Sequence, residues 1–241
     1  MSITKTDQQK GQSLVEFALL LALVIISVIA ILQIMGISVR DVFCQVVNGL
    51  GYHTEACPGD GVVFWDDFSN GLDGWEIDRG NNWRIDDGEL CAGPGVEHRA
   101  YAIDTEGGDY TVSMDATLKS GSGYGVYFRA NDSAVNGYTF QYDRGYGTPG
   151  AFIFRKWVNG REMSPFRPWS PAPDGYQWYN VKRRVVVTVR GNTYTATIDG
   201  VQVATAVDNE APPVPFFADG RVGLRTWNAE ACFDNVQITV P

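Results

Sequence analysis

The chain has 241 residues, a formal net charge of −9 from 28 acidic and 19 basic side chains, and 44% hydrophobic residues. That length is enough for a domain with a substantial core behind a separate N-terminal segment. The charge argues against a nucleic-acid partner, because the one basic cluster, Lys182-Arg-Arg184, makes no stripe that could follow a phosphate backbone.

The chain opens with a short leader ending in Lys10-Gly11, followed by Gln12-Ser-Leu-Val-Glu16-Phe17. From Phe17 to Ile37 the sequence is apolar except for Ser27, Gln33 and Gly36, which is the length a membrane helix needs. A cleaved secretory signal has a shorter apolar core and a small-residue cleavage site, and Ile34–Arg40 offers no A-x-A pattern. A plain signal anchor accounts for the hydrophobicity but not for Gly11 or Glu16. Lys5 and Lys10 before the run outweigh Arg40 after it, so the N-terminus is expected in the cytoplasm and residues 41–241 outside. Helical character is expected from Gln12 to Asn48, where Gly49-Leu-Gly51 stops it, giving a helix of about 55 Å.

The stretch KGQSLVEFALLLALVIISVIAILQIMGISVRDVF resembles the Flp-type (type IVb, tight-adherence) pilins. The resemblance implies a leader over 1–11, removed by a prepilin peptidase between Gly11 and Gln12, so that Glu16 becomes the fifth residue of the mature chain. The family usually has tyrosine after that glutamate, where this chain has Phe17. Related pseudopilins carry a proline early in the apolar run, and none occurs here before Pro58. The family's pattern further implies storage in the cytoplasmic membrane, then assembly by dedicated machinery into an extracellular helical homopolymer. In such a bundle the new ammonium group of Gln12, with a reference pKa of about 8, can meet Glu16 of a neighbouring copy and set register. The alternative for Glu16 is a carboxylate reaching the lipid headgroups.

Residues 49–60 read as a connector. The four cysteines, Cys44, Cys57, Cys91 and Cys232, lack metal-ligand spacing and fit an oxidising location. Of the three possible pairings, Cys44–Cys57 would close a small loop below the head, and Cys91–Cys232 would join an early strand to the last one. Free buried thiols are the other reading.

From residue 61 on, short alternating runs are split by turn signals. The runs are 109–118, 124–130, 137–143, 151–157, 185–206 and 220–227, with turns at Asp86-Asp-Gly88, Gly191-Asn192 and Asp199-Gly200. This pattern predicts an all-β antiparallel jelly-roll sandwich over 61–241 behind the long transmembrane and stalk helix. The segments FWDDFSNGLDGWE, YGVYFRANDSAVNGYTFQYD and GRVGLRTWNAEACFDNVQIT resemble concanavalin A-like and laminin-G-like jelly rolls, a group that includes carbohydrate-binding modules and sugar-processing enzymes.

No catalytic residue is assigned and no enzyme is expected. The E-x-D-x-x-E strand of jelly-roll glucanases is absent, Glu76-Ile-Asp78 being the nearest fragment, and neither histidine has a triad context. Period-two alternation places Tyr127 and Arg129, Gln141 and Asp143, and Arg155 and Trp157 on one strand face, with Val126, Phe128, Phe140, Tyr142, Phe152 and Phe154 in the core. That polar-aromatic surface is a candidate glycan face, and an ordinary hydrated face or a subunit contact is its alternative. Trp169, Tyr176 and Trp178 on the Pro-rich loop 164–180 form either a binding lip or a buried pin. No cofactor is required, but Asp66 and Asp67 with Asp234 and Asn235 are candidate ligands for a structural calcium ion. The expected function is therefore a pilin subunit displaying a lectin-like head for adhesion or glycan binding. The alternative is a membrane-anchored carbohydrate-binding or carbohydrate-processing protein that does not polymerise.

Overall fold

The computed structural model describes residues 61–131 and 135–241, together with Phe17, Leu19, Leu21 and Val46. Those four isolated positions have helical backbone and exposed side chains, and among the described residues no helix is long and apolar enough to cross a membrane. The rest of the helix expected over 12–48 lies outside the described residues, as do Gly11, Gln12, Glu16 and the Cys44–Cys57 pair. The chain divides into two compact units, Met1–Gly59 and Asp60–Pro241.

The second unit consists of thirteen strands: β1 (Val62–Asp66), β2 (Trp75–Arg79), β3 (Trp83–Asp86), β4 (Glu89–Ala102), β5 (Tyr110–Asn131), β6 (Asn136–Asp143), β7 (Ala151–Val158), β8 (Arg161–Glu162), β9 (Ser170–Pro171), β10 (Arg183–Arg190), β11 (Thr193–Ile198), β12 (Val201–Val207) and β13 (Arg221–Thr239). Every pairing between them is antiparallel. The turns Asp87-Gly88 and Asp199-Gly200 have φ of 53° and 78°, and of 52° and 79°, so both hairpins turn through the left-handed region that Asp-Gly favours.

Two strands are longer than their sequence patterns suggest. Runs 109–118 and 124–130 form one strand, β5, because the turn-like Lys119-Ser-Gly-Ser-Gly123 stretch stays paired with β13, Ser120 opposite Glu230 and Gly121 opposite Ala229. The first half of β5 pairs with β10 and its second half with β6, while β13 lies beside both halves. These long strands thereby pass from one layer to the other. One layer continues as β2-β4-β13-β5-β6-β7, the other as β12-β11-β10-β5-β13-β1. Between them lies an aromatic core in which Phe128, Tyr138 and Phe154 from the first layer meet Tyr194 from the second at 4.9, 4.8 and 6.1 Å between ring centroids. Cys91 and Cys232 face each other directly across β4 and β13 and are disulfide-bonded, with Cα atoms 4.0 Å apart.

Candidate functional site

The register fixes which side chains share the outer face of the first layer. Arg99 of β4, Arg225 of β13, Gly125 of β5, Gln141 of β6 and Ile153 of β7 lie in one row across the sheet. The flanking rows bring in Glu97, Trp227, Gly123 and Asp143 on one side and Tyr101, Gly223, Tyr127, Thr139 and Arg155 on the other. Trp157 pairs with Glu162 of β8 at the end of the same face. The glycines make room: a Cβ at Gly123 would stand 2.6 Å from the Trp227 ring, and one at Gly223 2.6 Å from the Tyr101 ring.

At the centre is Arg225, only 5% exposed. Its guanidinium carbon lies 4.5 Å from the ring centroid of Trp227, 4.8 Å from that of Trp157 and 5.9 Å from that of Tyr127. Nε and Nη2 donate to the two oxygens of Glu97 at 2.8 and 3.1 Å, and Nη1 donates to Glu162 Oε1 at 2.8 Å. The same Glu162 oxygen accepts a bond from Gln141 Nε2, and Gln141 Oε1 accepts from Arg155 Nε at 3.0 Å. Arg155 Nη1 donates to the Met163 carbonyl at 3.0 Å and its guanidinium stacks on Tyr146. Burial alone would weaken the hold of Arg225 on its proton, but the Tyr127 phenol and the carboxylates of Glu97 and Glu162 outweigh that and keep it above its usual range. Asp143, buried beside this chain of groups, has its carboxyl pushed up to about 6 by desolvation, against the opposing pull of Arg155.

Tyr127, Gln141, Asp143, Arg155 and Trp157 thus share the face that alternation assigns them, opposite Val126, Phe128, Phe140, Tyr142, Phe152 and Phe154 in the core, but only Arg155 is half-buried there and the other four are buried rather than forming an open surface. Arg129 does not. A bulge between Phe128 and Asn131 breaks the period-two rule, and Arg129 takes φ of 47°. It is buried, donating to the carbonyls of Gly108 and Phe217 and to Asp109, and stacks on Tyr194 and Phe216. Arg225, Trp227, Glu97 and Glu162 complete the site, and sequence alone does not single them out. The available signal is the Arg225-x-Trp227 alternation facing a Gly123-x-Gly125 pair, legible only once β13 is known to pair with β5. In the Pro-rich loop, Trp178 is a buried pin whose Nε1 donates to the Pro149 carbonyl, and Tyr176 packs on it. Trp169 instead meets Tyr146, the ring that carries Arg155.

The candidate calcium ligands are engaged within the fold. Asp66 accepts from the Phe68 amide and the Trp75 indole, both at 2.7 Å, and Asp67 accepts from the Ser69 amide. Asp234 accepts from the amide and side chain of Asn235 and lies 3.6 Å from Lys182, while Asn235 also donates to Asp115. Among the described residues the one group of thiol, imidazole or carboxylate ligands close enough to share an ion is Glu89 with Cys91 and Cys232, whose sulfurs are bonded to each other.

The family model of the 3-keto-alpha-glucoside-1,2-lyase-like domain matches residues 64–239. The chain belongs to this family. Among individual proteins, this lyase-like domain is 29% identical over 133 residues to the levanase of Bacillus subtilis (strain 168), a stretch that is 54% of this chain and 18% of the levanase. The chain therefore spans under a fifth of that relative. Among solved structures, the carbohydrate-binding module CBM66 from Bacillus subtilis superposes with a TM-score of 0.56 at 23% identity, covering 70% of this chain and 98% of that one. The Bacillus licheniformis beta-glucanase superposes with a TM-score of 0.53 at 16% identity, covering 75% and 99%. Both likenesses establish the fold.

Membership of the lyase-like family corrects the pilin identification, and with it the filament, prepilin-peptidase and tight-adherence assignments. The physical reason is the information content of the two regions. The pilin pattern rests on an apolar run plus Gly11 and Glu16, and an apolar run of membrane length meets a requirement common to any anchoring segment. The family match extends over 64–239, where turn chemistry, core alternation and paired strands all constrain the residues.

Proposed function

We propose that the β-domain binds carbohydrate on the outer face of the first layer, at the site centred on Arg225. The observation that carries this reading is the guanidinium held between two tryptophans and two carboxylates, extended through Gln141 to Arg155. Desolvating so many charged groups on a sheet face costs stability that an apolar core would not. In return Arg225 and Gln141, both buried, hold in place the half-buried Glu97, Glu162 and Arg155 and the half-exposed ring of Trp227, which are the groups a ligand can reach. A sugar ring has that complement: hydroxyls around its rim and an apolar C–H face that stacks on an indole. The carbohydrate-related names of the family, the levanase, the binding module and the glucanase support the same class of ligand. The disulfide supports a location outside the cytoplasm, with the apolar run 17–37 as the anchor.

Calorimetric titration of the full chain with levan, mixed-linkage β-glucan and α-glucosides tests the reading. Binding to at least one glycan, weakened tenfold or more by Arg225→Ala, is expected. No binding across the set, or full binding by that variant, would overturn it.

Processing is the second reading, favoured by one observation. Asp143 titrates at about 6, where a carboxyl can both take up and release a proton near neutral pH, and it lies on the same face. The lyase in the family's description would need such a group to accept the proton beside a 3-keto carbon. Incubation with a 3-keto-α-glucoside and detection of the released aglycone decides between binding alone and processing.

A further inference from the structure

We propose that the domain has a second binding pocket, at the sheet edge beside β7, that takes one neutral sugar unit. This pocket lies on the other side of β7 from the Arg225 face, and the two meet at Met163, which lines the pocket and whose carbonyl accepts from Arg155. Arg155 and Trp157 belong to the outer face, while Lys156 between them points the other way, with its ammonium 5.7 Å from the Tyr138 ring centroid. After β8 the chain runs back along this edge, the Met163 amide bonded to the Lys156 carbonyl at 2.9 Å and the Phe166 amide to that of Phe154 at 3.0 Å. A cavity of about 390 Å³ opens there, lined by Lys156, Ser164, Pro165, Phe166, Arg167 and Glu210. Its size falls within the roughly 300–1,000 Å³ usual for small-molecule sites.

The charges select the ligand class. Lys156 is 1% exposed, and its ammonium lies 2.7 Å from Asp208 and 2.7 Å from Glu210. Tyr138 Oη donates to the same Asp208 oxygen at 2.6 Å. The positive charge is thus already shared by two carboxylates, which leaves no excess to attract an anion. An ammonium ligand would have to compete with Lys156 for Glu210. Adding Arg167 at the rim brings the four side chains to neutrality. What remains is a set of paired donors and acceptors opposite the Phe166 ring and Pro165. Vicinal hydroxyls and a C–H face match that pairing, and an ionised ligand does not.

The test is chemical-shift mapping on the full chain with glucose, galactose, mannose and fructose as probes, and acetate and methylammonium as charged controls. At least one sugar should shift the amides of Ser164, Phe166, Arg167 and Glu210 saturably, and should still do so in Arg225→Ala. Phe166→Ala should weaken those shifts fivefold or more, and Ser164→Trp, at an exposed position on the cavity wall, should abolish them by filling the cavity. No shift there with any sugar, or shifts from acetate or methylammonium instead, would overturn the proposal. Shifts on β6 and at Trp227 report the outer face separately, so either site can fail without the other.

Discussion

Asp143→Asn gives a stability effect whose sign and pH window both follow from the structure. Asp143 is 7% exposed, and burial moves its carboxyl from an ordinary value of 3.8 to about 6 in the folded chain. Between those values the folded protein binds more protons than the unfolded one, so stability falls as pH rises through the interval. Above about pH 6 the folded state holds a buried carboxylate at a cost of about 3 kcal/mol, whereas below about pH 4 both states are protonated and the cost vanishes. Asparagine keeps the shape and an acceptor oxygen but cannot ionise. The variant should therefore be more stable than the parent at pH 7–8, by up to about 3 kcal/mol, and indistinguishable from it near pH 3.5. Urea unfolding of both proteins at half-unit pH steps, with equal slopes required, measures the difference. A variant less stable than the parent at pH 8, or a difference independent of pH, would refute the argument that desolvation dominates at Asp143.

Removing the disulfide with Cys91→Ala and Cys232→Ala should cost about 2–5 kcal/mol, since the bond ties residues 141 apart in sequence; denaturant midpoints with and without reductant check this. Lys156→Met leaves Asp208 buried without its cation and should cost about 3–5 kcal/mol, while adding Asp208→Asn should recover part of the loss; a double-mutant cycle reads the coupling. Arg129→Met should destabilise through the stranded Gly108 and Phe217 carbonyls yet leave glycan affinity unchanged, because the bulge takes that side chain off the polar face; thermal melts and the calorimetric titration together check both halves.

The parts of the fold legible in the sequence are those with local rules. Two Asp-Gly turns place hairpins, and strict alternation in 137–143 and 151–157 sorts Gln141, Asp143, Arg155 and Trp157 from Phe140, Tyr142, Phe152 and Phe154. Arg129 escapes the rule because a bulge adds a residue without any local marker, and Asn131 lies just beyond the break. The core of the site escapes for a different reason. Arg225 meets Glu97 and Glu162 across 128 and 63 positions of sequence, and only the pairing of β13 with β4 on one side and the succession β5-β6-β7-β8 on the other makes them neighbours. The junctions within β5 and β13 are hidden likewise, since glycine and serine mark a turn in isolation but also permit a long strand to bend between layers. The apolar N-terminal run carries the strongest local pattern and the least specific one, and the pilin identification drawn from it does not stand against the family match over 64–239.

Carbohydrate binding at the Arg225 face predicts a specific pattern of recognition. A glycan array probed side by side with the full chain and with Trp227→Ala tests it most directly, since that ring stacks on Arg225 at the rim of the face without belonging to the core cluster. A defined set of bound glycans is expected for the parent chain and loss of that set for the variant, with unfolding unchanged. An array on which the two proteins bind alike, or on which neither binds, would contradict it.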